Sequence, residues 1–157
     1  MTSTSAQAFF ELAAAQARQS LCLDKKCGAI IVADDQVIGA GFNGPPKDDL
    51  TLRRCHITMD KQKMYPSDKS CCIHAEQRAV YKALTHDPKE LEGADLFYVS
   101  VDKDGNICPS GLPWCTHCSK LALDVGIDQF WLWHEQGPQA YPTNKYNILS
   151  FASSARG

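Results

Sequence analysis

Nothing in the 157 residues approaches the run of ~18 apolar positions that a bilayer-crossing helix needs, so no membrane span is expected. Residues 1–10 lack a basic segment followed by a long apolar stretch, and no secretory signal is expected either. Basic charge is not in excess: 16 Lys and Arg against 18 Asp and Glu leave a formal charge of -2, which argues against a surface built for nucleic acid. Internal repeats, linkers and low-complexity tracts are absent from the sequence as well. A 44% hydrophobic fraction is enough for a real core, which excludes disorder and a collagen-like fibre. At a typical ~150 residues per domain, residues 1–157 are expected to form one cytoplasmic domain.

What the chain has in plenty is cysteine. Eight are present: Cys22, Cys27, Cys55, Cys71, Cys72, Cys108, Cys115 and Cys118. Without export the compartment keeps thiols reduced, and cysteines crowded into a cytosolic protein point to metal binding or chemistry rather than to disulfides.

Hydrophobic periodicity predicts a helix over residues 5–20, capped by Thr4 or Ser5. Residues 27–32 and 37–42 read as two strands joined by a turn at residues 33–36, an antiparallel hairpin. Residues 43–70 are polar and aperiodic, a loop long enough to suggest function. A helix over residues 73–84 ends before Pro88, and residues 96–101 form a third strand. A loop with several breakers follows at residues 102–113, then a helix at 114–125 with Gly126 just beyond it. Residues 130–133 form a fourth strand, and the tail is weakly patterned, with a short helix at 144–151. This order predicts an α/β fold, a three-layer α/β/α sandwich over a mixed sheet.

Two short motifs carry chemistry. His74-Ala75-Glu76 opens one predicted helix and Cys115-Thr116-His117-Cys118 opens the next. Two thiolates three residues apart plus one imidazole suit a tetrahedral zinc and leave a fourth position for water, the pattern of a catalytic rather than a closed structural site. Glu76, two places from His74, is off that ligand's helix face and suited to move protons. Both segments begin helices, so two positive dipole ends would face the metal. Each motif alone is weak; a lone C-x-x-C serves equally as a redox pair or half a zinc knuckle. Their joint occurrence, each at a helix start with a strand between, points to one shared zinc per chain.

With these motifs the chain resembles the zinc-dependent cytidine and deoxycytidylate deaminase superfamily over roughly residues 9–133. The likeness is greatest to the deoxycytidylate deaminases. It rests on Gly41-Phe42-Asn43-Gly44-Pro45-Pro46 after the second strand, on Cys72-Ile73-His74-Ala75-Glu76, and on the polar loop bearing Asp48, Asp49, Arg53 and Arg54. The resemblance implies a cytidine deaminase-like fold, His74, Cys115 and Cys118 as zinc ligands, and Glu76 as the catalytic proton shuttle. It also implies that Asn43 bonds the substrate sugar, and that the backbone at Ala75, Pro113 and Trp114 reads the pyrimidine edge. The substrate would be a small cytosine nucleotide or nucleoside, deoxycytidylate first, and the assembly a homo-oligomer. Two departures stand out: Trp114 occupies the place of the proline that normally precedes the first cysteine, and residues 102–112 are longer than usual. Both leave the choice of base open.

Arg53, Arg54 and Lys47 are candidates to meet a 5′-phosphate, because a guanidinium fork matches phosphate oxygens. Cys55, His56, Cys71 and Cys72 could join His86 or His117 around a second zinc, as in some deoxycytidylate deaminases; the simpler expectation is that Cys72 packs under its helix and Cys55 is a loop thiol. Cys108 is expected to be a small hydrophobe, and His117 to face solvent or a subunit contact. Two other functions remain open: the same chemistry on adenosine in transfer RNA, on guanine or on free cytidine, and a non-catalytic zinc-stabilised module.

Overall fold

A computed structural model of the chain describes residues 2–55 and 71–153. In chain order these hold α1 (Ser3–Ala17), β1 (Lys26–Ala33), β2 (Gln36–Phe42), α2 (Ala75–His86), β3 (Asp95–Val101), β4 (Ile107–Cys108), α3 (Thr116–Asp124), β5 (Gln129–His134), β6 (Gly137–Pro142) and α4 (Thr143–Ala152). The strands form one sheet in the order β2-β1-β3-β5-β6, with β4 paired to β3. Only β3 and β5 run parallel, so the sheet is mixed, as the sequence predicts.

The hairpin between β1 and β2 turns on Asp34 and Asp35, whose φ angles of 47° and 60° match the left-handed turn that a twisted two-residue hairpin requires. Side chains then alternate across the sheet. Ile30, Val32, Phe97, Val99 and Val101 face α1, and Ala29, Ile31, Leu96, Phe130 and Leu132 face the opposite core with α2 and α3. Helices thus cover both faces, giving the three-layer α/β/α sandwich. On the α1 side, fully buried Phe10 meets Phe97 and Trp133 edge-on at 5.3 and 5.4 Å. Truncating it to alanine would cost about 3–5 kcal/mol.

Strand glycines let the helices close on the sheet. A Cβ at Gly28 would stand 2.1 Å from the Ala13 carbonyl of α1, and one at Gly39 would stand 2.3 Å from the Ala79 carbonyl of α2.

Several expected boundaries move. The cap of α1 is Thr2, whose hydroxyl accepts from the Ser5 N–H at 3.3 Å, and the helix ends at Ala17 rather than residue 20. Ser20 is drawn away because its hydroxyl donates to Asn43. Residues 73 and 74 lie outside α2: Ile73 makes an antiparallel bridge with Gly44, and the helix begins at Ala75. Residues 114 and 115 likewise precede α3. Gly126 follows α3 with φ 89°, the left-handed conformation anticipated there.

Two strands escape the sequence reading. β4 arises because the Asp102 carboxylate accepts from the N–H groups of Asp104 and Asn106, folding the loop back onto β3. β6 carries Pro138 and Pro142, which mask a strand pattern but are tolerated because β6 is an edge.

Candidate active site and metal centre

Two helix starts converge at the carboxyl-side core. His74 is the N-cap residue of α2 and Cys115 the N-cap residue of α3, so both helices aim their unpaired N–H groups at one place. The Gln77 side-chain oxygen accepts from the His74 N–H at 3.0 Å, and the Cys115 sulfur accepts from the Cys118 N–H at 3.3 Å. Both contacts pin a candidate metal-donor residue to its own helix.

The imidazole Nδ1 of His74 lies 3.2 Å from the Cys118 sulfur and 3.5 Å from the Cys115 sulfur, and the two sulfurs are 2.9 Å apart. These three donor atoms are the group among the described residues placed to hold a metal ion. Around a tetrahedral zinc, sulfur–nitrogen separations are about 3.6 Å and sulfur–sulfur separations about 3.8 Å. The imidazole is at about the right distance from Cys115 and about 0.4 Å too near Cys118, and the sulfurs need to part by about 1 Å. The donor set of two sulfurs and one nitrogen therefore fits zinc and leaves one corner for a non-protein ligand.

Protons at the site are divided unevenly. Hydrogen bonds from Cys118 and His74 outweigh burial and hold the Cys115 thiol well below its ordinary range, at about 5. Cys118, bonded to that thiolate and buried, is pushed well above the ordinary range. Glu76 sits one residue inside α2, 5% exposed, and hydrogen-bonds Cys118. Burial first, and then the negative charge on Cys115, raise its carboxyl to about 7.

The remaining expected site residues are placed as follows. Ala75 is the first residue of α2 and fully buried, and Pro113 is buried just before α3. Trp114 beside it is 40% exposed. Asn43, 8% exposed, closes an internal network: its side-chain oxygen accepts from the Cys27 N–H at 2.8 Å and the Ser20 hydroxyl at 2.6 Å, and its amide donates to the Lys25 carbonyl at 2.7 Å. By donor count one N–H of the carboxamide remains. Arg53 donates to the Leu21 carbonyl at 3.3 Å, and Arg54 to the Thr51 carbonyl at 2.6 Å, so both guanidiniums lie along backbone at the edge of the loop. Lys47 is exposed with φ 56°.

The other cysteines divide. Cys108 lies in β4 near the Asn106 carbonyl, outside the metal group. Cys55 and Cys71 sulfurs are 3.6 Å apart and those of Cys71 and Cys72 3.9 Å, while Cys22 contacts both Cys55 and Cys72. The four thiols make a ring that includes Cys22, unassigned in the sequence; Cys72 is buried as expected. His86 sits at the far end of α2, 3.7 Å from Glu90; His117 is exposed; His56 lies outside the described residues.

Two contributors carry no local signal in the sequence. Arg78, one turn beyond His74, donates to the carbonyls of Phe42 and Pro45 at 3.1 and 2.8 Å and to the Asp48 carboxylate at 2.7 Å. It clamps the loop after β2 to the helix that carries His74 and Glu76. Tyr146 of α4, 4% exposed, reaches the backbone of Trp114 from the weakly patterned tail, where a short helix is expected but no part in the site.

Comparison with known proteins matches residues 3–133 to the cytidine and deoxycytidylate deaminase zinc-binding region. A deoxycytidylate deaminase of Mycobacterium phage D29 is 32% identical over 127 residues, 77% of this chain and 88% of the phage protein. The deoxycytidylate deaminase of Schizosaccharomyces pombe is 30% identical over 127 residues, and there the match spans only 34% of the yeast protein. In structure, the cyanophage S-TIM5 dCMP deaminase solved with dCMP and dUMP shares the fold with a TM-score of 0.57 and 22% identity, over 83% of this chain and 81% of that one. The chain belongs to the cytidine and deoxycytidylate deaminase family.

Proposed function

We propose that the protein is a zinc-dependent deaminase of cytosine nucleotides, converting dCMP to dUMP with release of ammonia. The observation that carries this reading is the buried Glu76 carboxyl beside three metal-donor atoms that leave a corner open. A zinc ion held by His74, Cys115 and Cys118 would supply an activated water at that corner at neutral pH. Every other part of the reaction falls to this chain's own side chains and backbone.

The Glu76 carboxylate, buried beside those donor atoms, would take the two protons of the attacking water in turn, passing the first to ring N3 and the second to the departing amine. The Ala75 N–H, in the first turn of α2 where no helical carbonyl is available to it, is the donor for the pyrimidine carbonyl. Carbonyls at Pro113 and Trp114 accept from the amine that leaves. The free N–H of Asn43 takes a sugar oxygen, with the rest of that side chain held by Ser20, Cys27 and Lys25. Arg53 and Arg54 each keep donors beyond their backbone bonds, and these meet the 5′-phosphate.

The eight free thiols suit a reducing compartment such as the cytoplasm, and no helix among the described residues is long and apolar enough to cross a membrane. Assembly as a homo-oligomer and action on free nucleotides rather than nucleic acid belong to the same proposal. The test is ammonia release from a panel of dCMP, deoxycytidine, CMP, adenosine, guanine and a transfer-RNA hairpin. The reading expects dCMP to be turned over best, with Arg53→Ala and Arg54→Ala weakening the nucleotide and sparing the nucleoside. Turnover of guanine or the hairpin in preference to every cytosine compound would replace it.

A further inference from the structure

The C-x-x-C turn is held at both ends by one element, α4, which lies beyond the segment matched by the family. On one side, the Tyr146 hydroxyl oxygen accepts a hydrogen bond from the Trp114 N–H, immediately before Cys115. On the other, the side chains of Asn147 and Ser150 meet the fully buried Ser119 hydroxyl at 2.9 and 3.3 Å, immediately after Cys118. Ser119 in turn donates to the Thr116 carbonyl at 3.2 Å, inside the turn itself. We propose that Tyr146 is a positioning residue for the metal centre: through Trp114 it fixes where the Cys115 sulfur stands and thereby how firmly the metal is held.

α3 has nine residues and follows a long loop, so the place of its N-cap cysteine is not set by the helix alone. Tyr146 is well suited to set it. Its ring stacks on Phe130 at 4.0 Å and 22°, and Tyr141 packs edge-on at 6.2 Å, so the hydroxyl has a fixed origin in the sheet core. A buried phenol needs a polar partner, and the partner here is the Trp114 backbone. Losing that tether frees the residue before a metal ligand, whereas the C-x-x-C residues themselves remain intact.

This inference rests on the metal site proposed above, and its test reads metal release rather than turnover. Wild-type protein loaded with zinc, or with cobalt as a coloured substitute, is mixed with a chromophoric chelator and the rate of loss is followed. Tyr146→Phe keeps the stacking ring and removes only the hydroxyl. It is expected to speed metal loss by about 10-fold, the usual effect of removing a support behind a metal ligand, and to shift the cobalt–thiolate absorption. Asn147→Ala, which loosens the other end of the turn, is expected to act in the same direction. Tyr141→Phe keeps the ring that packs on Tyr146 and removes only the hydroxyl bonded to His134, so it should release metal as the wild type does. A Tyr146→Phe protein with wild-type release and spectrum would overturn the proposal, as would equal acceleration by Tyr141→Phe. If the wild type turned over no cytosine compound while Tyr146→Phe still lost metal faster, the function would fall and this role would stand.

Discussion

Arg78 donates to the Asp48 carboxylate at 2.7 Å, and between them the loop after β2 is tied to the helix that carries Glu76. Asp48 and Lys47 both hold φ at 56°, a left-handed conformation costly for residues with side chains. The guanidinium supports that strained turn while also accepting the load of the Phe42 and Pro45 carbonyls. Arg78→Ala leaves these acceptors without their donor and is expected to cost about 1–3 kcal/mol of stability. Because Asn43 lies on the same loop, the substrate KM should rise more than kcat falls. Arg78→Lys should not rescue it, since one ammonium cannot span carbonyls and carboxylate together. Thermal melts and steady-state kinetics of both variants check this.

Gly41 marks the closest approach of β2 to the site. A Cβ there would stand 2.6 Å from the Arg78 Cβ and 2.8 Å from the Ala75 carbonyl. Gly41→Ala therefore pushes α2 off the sheet at the turn that bears His74 and Glu76. It is expected to weaken metal retention as well as stability, whereas Gly105→Ala, with a flexible Arg18 side chain as its neighbour and φ 85°, should lower stability alone. Metal content after dialysis, measured beside the melting temperature, separates the two effects.

Cys27 predicts a particular pH dependence. Burial outweighs the Tyr98 hydrogen bond at 3.1 Å and pushes its thiol up to about 12. The unfolded thiol ionises near 9 while the folded one keeps its proton, so the folded state binds more protons between those values. Stability contributed by this group is full below pH 9 and falls as pH rises, by about 1.4 kcal/mol per pH unit at most. Tyr98, raised well above its ordinary 10, adds a loss of the same sign further up. Cys27→Ala should flatten the decline in urea midpoint between pH 9 and 10.

Thiol reactivity should follow the same physics. Cys55 is exposed, and a backbone hydrogen bond from Leu23 holds it below the ordinary thiol range. In protein stripped of metal, the exposed Cys55 is expected to be alkylated well ahead of the buried Cys27, read by peptide mass spectrometry. Protection of Cys55 that disappears on chelation would place a metal on the ring formed with Cys22, Cys71 and Cys72.

How far the sequence could be read depended on how local each cause is. The clustering of His74, Cys115 and Cys118 is legible because two thiols within one helical turn are set by short-range geometry and each motif opens a helix. The hairpin at Asp34-Asp35 and the stop at Gly126 were legible for the same reason. Tyr146, Arg78 and Cys22 were not: their partners lie tens of residues away and only the fold brings them together. β6 was hidden by its prolines, and β4 by a turn whose acceptor is the side chain of Asp102. The resemblance singles out Asn43, while its bonds to Ser20, Cys27 and Lys25 depend on where the first helix ends.

The most direct measurement is paired zinc content and ammonia release for Glu76→Gln. Glutamine keeps the shape of the side chain and removes its ability to carry a proton. The expected protein retains the wild-type metal content at His74, Cys115 and Cys118 and loses turnover of dCMP by about 10²–10⁴-fold, the usual worth of a positioned acid–base group. Unchanged turnover, or a wild-type enzyme whose activity survives Cys115→Ser, would contradict the account at its centre.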